Sequence, residues 1–302
     1  MITAANFPTP ALSLRSCDPA ELRRVHAFAA EQAAAAEAAR SRLAASLDLA
    51  SLRAVHADLI RWRHRLALAA PGRIGQGLPL DATHFVMSLV DGGRNYDRIG
   101  YIGRLRHGSA WDPLTCTYRG GVETPAYRLM LRYGQAVHDR FALEHNSGDV
   151  LHNTVTLPDG RTLIGNHLAR GGAAAIISDA LVARLSRRGR DISQIETGGQ
   201  PCYAVSADDS ARALMFDAAL TLLATDRSLC SWQTARYLLY QSPQTKKGSD
   251  AVTRVFLVAV GSVLFGHPPV LDQDVDLRCA VLGQPAATVL PSDPAPHSCR
   301  TH

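Results

Sequence analysis

The chain has 302 residues, 46% hydrophobic and 20% charged, with 32 Lys and Arg against 27 Asp and Glu for a net charge of +5. This is the composition of a globular protein, and its longest apolar stretch, 255–265, is too short to span a bilayer. The positive excess is spread as single arginines, not gathered with aromatics, which argues against nucleic acid as a partner. Six cysteines contain no Cys-x-x-Cys pair, and no histidine pair has helical ligand spacing, so no metal site is expected.

Residues 1–18, rich in Pro, Ser, Thr and Ala, show no periodicity and predict a disordered leader and candidate secretion signal. Residues 19–50 form an N-terminal unit. Its Ala/Glu/Arg stretch, 19–45, has high helix propensity but little apolar surface, so it needs a surface to pack on. Leu52, Val55, Leu59, Trp62 and Leu66 recur at helical spacing and predict a helix over 51–68, ended by Pro71-Gly72. Glycine-punctuated short pieces follow, with a strand over 114–119.

The stretches 150–157 and 161–168, joined by Pro158-Asp159-Gly160, predict a β-hairpin. Helices are expected over 173–185, 210–224, 229–240 and 251–265, with Arg184, Arg187, Arg188 and Arg190 forming the solvated end of the first. The tail 284–302, rich in Pro, Ser and His, reads as loose. The fold class is mainly α with one small β-hairpin element, α+β. The main domain spans 51–283 as a helical bundle around a buried central helix.

The only two lysines, Lys246 and Lys247, stand side by side before Gly248 and Ser249, at the start of that apolar helix. A helix apolar all round belongs in the core. Its first turn offers unpaired N–H groups and the positive end of the helix dipole. A glycine and two ammonium groups at that place make a phosphate site. The plainer reading is a surface turn with Ser249 as the helix cap, Asp250 as a favourable first-turn charge and the lysines solvated.

The order of a hairpin ahead of a bundle whose buried helix starts at a charged glycine loop resembles the Fido fold of the Fic and Doc proteins, and most closely the AvrB family of type III effectors. The specific stretch is 232–283: Trp232 to the helix-ending Pro243, then Lys247-Gly248-Ser249, the apolar helix, Gly266, Pro268-Pro269 and Val275-Asp276-Leu277. In that family an Arg-Gly-Ser loop and a later aspartate line a nucleotide pocket. The resemblance places Lys247 at the arginine and Asp276 at the aspartate, with Thr83 at a family threonine. Lysine neutralises a diphosphate but lacks the planar fork of a guanidinium.

The Fic signature histidine has no counterpart in 241–249, so adenylylation by the Fic mechanism is not expected. The resemblance implies a virulence protein delivered into the host cell cytoplasm. It would transfer a group (a sugar, ADP-ribose or a nucleotide) from a nucleotide or nucleotide-sugar donor to a host immune protein or kinase. No tightly bound cofactor is implied. Lys246, Lys247, Gly248 and Ser249 would bind the diphosphate with Arg254 behind them. Asp276 would orient the donor sugar or take the acceptor's proton, and the hairpin carrying His152 and His167 would hold the target by strand addition.

Other readings stay open. Asp276 could be a helix cap. Tyr118-Arg119-Gly120-Gly121 looks like the first element of arginine-dependent ADP-ribosyltransferases, although the Ser-Thr-Ser and Glu-x-Glu elements are missing, and Arg119 could instead line a Fido-like pocket. Cys116 with a downstream histidine is a cysteine-hydrolase pairing that nothing in the sequence brings together. The chain could also be an inactive binding protein on the same scaffold that sequesters a host regulator, or a plain helical scaffold with no ligand.

Overall fold

The structure, a computed structural model, describes residues 1–69 and 81–293. The elements in chain order are α1 (Pro19–Leu43), α2 (Leu49–Ala69), α3 (Leu89–Gly92), β1 (Tyr96–Ile99), β2 (Ala110–Asp112), β3 (Thr117–Arg119), α4 (Pro125–Leu143), β4 (Val150–Thr156), β5 (Thr162–Ala169) and α5 (Gly171–Arg187). They continue with β6 (Cys202–Val205), α6 (Asp209–Thr225), α7 (Leu229–Gln241), α8 (Ser249–Phe265), α9 (Val275–Val281) and α10 (Gln284–Thr288). The fold is mainly helical with a small antiparallel sheet, as the composition and periodicity imply. No helix among the described residues is long and apolar enough to cross a membrane. The expected helix stop at Pro71-Gly72 lies outside the described residues.

α8 is the hub: every residue from Ala251 to Ser262 is buried, and α1, α2 and α7 pack around it. α1 finds its surface there, presenting Ala29, Ala33, Ala36, Ala39 and Leu43 on one face. Small side chains let two helix backbones approach closely, so an alanine-rich helix with few large apolar residues still buries a stripe. Asp18 caps it by accepting from the Ala20 N–H at 2.7 Å. α7 is fixed to α8 by Trp232, whose Nε1 donates to the Leu257 carbonyl at 3.2 Å.

The four-stranded sheet has the order β1-β6-β5-β4, all antiparallel, so the predicted hairpin is extended by two strands from distant sequence. Gly160 closes its turn at φ +84°, a conformation open to glycine. α4 covers one face, where Ile99, Leu151, Leu168 and Cys202 meet Tyr127, Met130, Val137 and Phe141. α5 covers the other through Ala169, Ala174, Tyr203 and Val205. The sequence reading had no helix over 125–143, although Thr124 caps it and Pro125 opens it, two start signals that were there to use. The expected strand over 114–119 is shorter, only β3.

Both termini depart from expectation. The segment 1–18 is a packed strap rather than a disordered leader: Ile2 and Phe7 are buried, Asn6 donates to the Pro268 carbonyl, and Gln273 donates to the Thr9 carbonyl. The start of the supposedly loose tail is also built in. α10 packs on α7 and α9, and the Asp293 carboxylate grips Arg236 at 2.6 and 2.7 Å in the core. Two buried apolar side chains and one buried ion pair offset the ordering entropy that composition alone leaves uncompensated.

Candidate functional site

The loop between α7 and α8 runs antiparallel to the segment 84–88. The Lys246 N–H donates to the Met87 carbonyl and the Lys247 N–H to the His84 carbonyl, with Thr245 bridged to Ser88. Gly248 stands at φ +82°, and a Cβ there would come within 2.6 Å of the Phe85 ring and 2.9 Å of Arg63. Conformation and space both require glycine. Ser249 is not the cap that the plainer reading made it: its hydroxyl turns back to the Thr245 carbonyl at 3.1 Å. α8 therefore begins with no side-chain cap on its first N–H groups.

The two lysines do different things. The Lys246 ammonium donates to the carbonyls of Gly93 and Arg94 at 2.8 Å each and so ties the loop to the end of α3. Burial, then Arg184, push it down to about 8, with Asp97 pulling the other way. Lys247 is exposed, and its charge acts on Asp97 and His84. Thr83 lies next to this contact, its hydroxyl donating to Asp81 at 2.6 Å. Arg184 and Arg188, at the end of α5, add their field to the Lys246 side.

On α8, one turn beyond Asp250, Arg254 is 2% exposed. Its Nε donates to Asp250 Oδ1 at 2.8 Å, and its two terminal nitrogens donate to the carbonyls of Asp272 and Gln273 at 2.9 and 3.3 Å. The same guanidinium reaches Asp276 Oδ1 at 3.9 Å. Tyr240, at the end of α7, donates its phenol to Asp250 Oδ1 at 3.0 Å. Asp276 is closely surrounded by protein yet keeps a quarter of its side chain accessible. Burial, then the negative charge of Asp250, raise its carboxyl to about 7 against the pull of Arg254. Asp274, not Asp276, holds the N-cap position of α9.

Asp97 stands on β1 opposite Ala204. It presents accessible surface, but desolvation raises its carboxyl in spite of both lysines. Ala204 belongs to the same buried cluster as Leu277, the neighbour of Asp276.

Of the residues singled out in the sequence, Lys246, Lys247, Gly248, Ser249 and Thr83 gather at the loop, and Arg254 and Asp276 pair one turn further on. The charges that act most on Asp276 are Asp250 and Arg254, not a lysine. Arg119 lies on the separate two-stranded sheet, where its Nε pairs with Asp112 at 2.9 Å. His152 and His167 face each other across the hairpin with ring centroids 5.3 Å apart. They share a row with Val205 and Tyr96, one residue out of step with the row of Leu168, Ala204 and Asp97. Alternation along the strands therefore puts the histidines on the opposite sheet face from Asp97.

Burial, followed by His152 and Arg94, pushes His167 down to about 4. The hairpin is also poorly placed for strand addition: β5 is paired on both sides, and on the outer strand the Gln284 amide occupies both the N–H and the carbonyl of Thr156. Among the described residues no group of three His, Cys, Asp or Glu side chains is arranged to hold a metal ion. Asp250 was read only as a helix charge, although its i, i+4 spacing to Arg254 signals a pair; nothing local marked Tyr240 or Asp97. Compared with known families and with the curated proteins, the chain matches no family model and no curated protein.

Proposed function

We propose that the chain is a transferase that moves a group from a nucleotide-linked donor onto a protein acceptor, with its centre at the start of α8. The observation that carries this reading is Asp276: a partly accessible carboxyl raised to about 7 beside a buried guanidinium. A general base works best with a pKa near the working pH, and strongly perturbed acids cluster at functional sites. The donor diphosphate lies at the uncapped N–H groups of α8 and at Lys247. The acceptor hydroxyl gives its proton to Asp276 and bonds to the donor's transferred carbon or phosphorus, and the bond to the leaving phosphate breaks. Lys247 and the helix N–H groups hold the negative charge that develops on that leaving group.

The resemblance to the AvrB family supports a bacterial effector acting on a host immune protein in the host cytoplasm. The test is ligand-dependent melting of the full chain with ATP, ADP, NAD and nucleotide sugars, alongside Lys247→Ala and Asp276→Asn. One donor class should raise the midpoint, and Lys247→Ala should abolish the shift; no shift with any donor would remove the reading. One observation favours the binding-only alternative. Lys246, the other cation of the loop, is consumed by two backbone carbonyls, which leaves less charge for a diphosphate.

A further inference from the structure

An open cleft of about 640 Å³ lies between α4, the strip 270–274 and the N-terminal strap. Pro125, Arg128, Leu129 and Arg132 all line it, and their i, i+3, i+4, i+7 spacing is one continuous face of α4. The floor is apolar: Leu129 and Leu271 line it and are buried. The rim carries three guanidiniums, Arg128, Arg132 and Arg278, against two carboxylates, Asp272 and Asp274, and Arg278 also lies 3.9 Å from Asp272. Asp274, itself buried, accepts from Arg132 at 2.6 Å, from Tyr133 at 2.8 Å and from Arg278 at 3.3 Å. One carboxylate therefore fixes two guanidiniums, each of which keeps donors beyond those it spends on Asp274. Arg128 is exposed, and among the described residues no carboxylate lies within ion-pair distance of it.

We propose that this cleft docks an extended acidic segment of a partner protein, its apolar side chains on the Leu129–Leu271 floor and its carboxylates on Arg128, Arg132 and Arg278. Complementary charge selects the segment: three guanidiniums against the two lining carboxylates leave the cleft net positive, with Arg128 as the surplus cation and two further guanidiniums already oriented, which suits carboxylates and disfavours basic sequences. The open shape suits an extended chain, because small-molecule sites enclose most of their ligand. The strip that walls the cleft is held from behind by Arg254, which donates to the carbonyls of Asp272 and Gln273. The docking stands whether or not the lysine loop takes a nucleotide.

The test is fluorescence anisotropy of the full chain with a panel of fluorescein-labelled extended peptides in which Glu alternates with Leu or Phe, beside the same peptides with Lys in place of Glu. The variants are Arg128→Glu, Val270→Glu on the exposed rim, and Lys247→Ala. The Glu peptides should bind and the Lys peptides should not. Each rim variant should weaken binding by about tenfold, while Lys247→Ala leaves it unchanged. Equal binding of Glu and Lys peptides, no binding of either, or full affinity in both rim variants would overturn the proposal. A loss in Lys247→Ala as large as in the rim variants would also overturn it, by placing the peptide at the lysine loop.

Discussion

Arg236 on α7 and Arg254 on α8 are both buried guanidiniums, yet their surroundings could hardly differ more. Arg236 meets Asp293 through two parallel contacts of 2.6 and 2.7 Å, and the same carboxylate accepts from Gln233 and the Leu290 N–H. Both partners are almost fully enclosed, 0% and 3% exposed. Arg254 instead spreads its donors over Asp250, two backbone carbonyls and a distant Asp276, and both of those carboxylates reach solvent. A closed pair with two short contacts holds the segment from α10 to Asp293 in place. An unevenly shared guanidinium beside a carboxyl raised to about 7 leaves a proton that chemistry can use.

The largest expected effect falls on the closed pair. Asp293→Ala leaves Arg236 buried without a counter-charge and should cost about 3–5 kcal/mol in urea unfolding, with no change in the pH response of Asp276. A loss below about 1 kcal/mol would mean that the pair behaves as a surface bridge.

The second effect concerns pH. His56, buried and edge-on to Phe216 and Phe256, is pushed down by burial to about 4. The unfolded chain binds that proton and the native chain does not between pH 6.5 and about 4, so stability falls as pH falls through this window. His56→Leu should recover up to about 3 kcal/mol at the acid end, read from unfolding midpoints against pH.

Asp276 has the opposite sign. Its folded pKa lies above the ordinary 3.8, so the native state holds a proton that the unfolded state releases, and stability is lost as pH rises from 3.8 to about 7. Asp276→Asn should match the parent below pH 4 and exceed it by about 2 kcal/mol above pH 7. A variant less stable than the parent at pH 8 would make Asp276 a structural partner of Arg254 and erase the contrast between the two arginines.

The smallest effect tests the loop. Gly248→Ala, at positive φ and against Phe85, should cost about 1–2 kcal/mol and weaken any ligand shift. Unchanged stability would show that the loop relaxes freely and is not a preorganised cradle.

The helices around α8 and the hairpin could be read in the sequence because their periodicity is local. α4 could have been read from Thr124-Pro125 and its spaced aromatics, whereas β1 and β6, four residues each, carry too little pattern to recognise alone. The site divides in the same way. Lys247, Gly248, Arg254 and Asp276 stood out one by one, but what they touch is set by distant contacts. Lys246 finds its carbonyls 152 and 153 residues away, and Arg254 reaches across to the strip before α9. The packed termini were hidden because two apolar anchors, Ile2 and Phe7, and one late aspartate, Asp293, are invisible in a composition dominated by Pro, Ser and Ala.

The most direct test of the central claim is a pH titration of the Asp276 side-chain carboxyl by carbon-detected NMR, assigned by the signal lost in Asp276→Asn. A midpoint near 7 is what a poised acid–base group at the start of α8 requires. A midpoint near the ordinary 3.8 would leave an ionised carboxylate paired with Arg254, and the two arginines would then differ only in how far their carboxylate partners reach solvent.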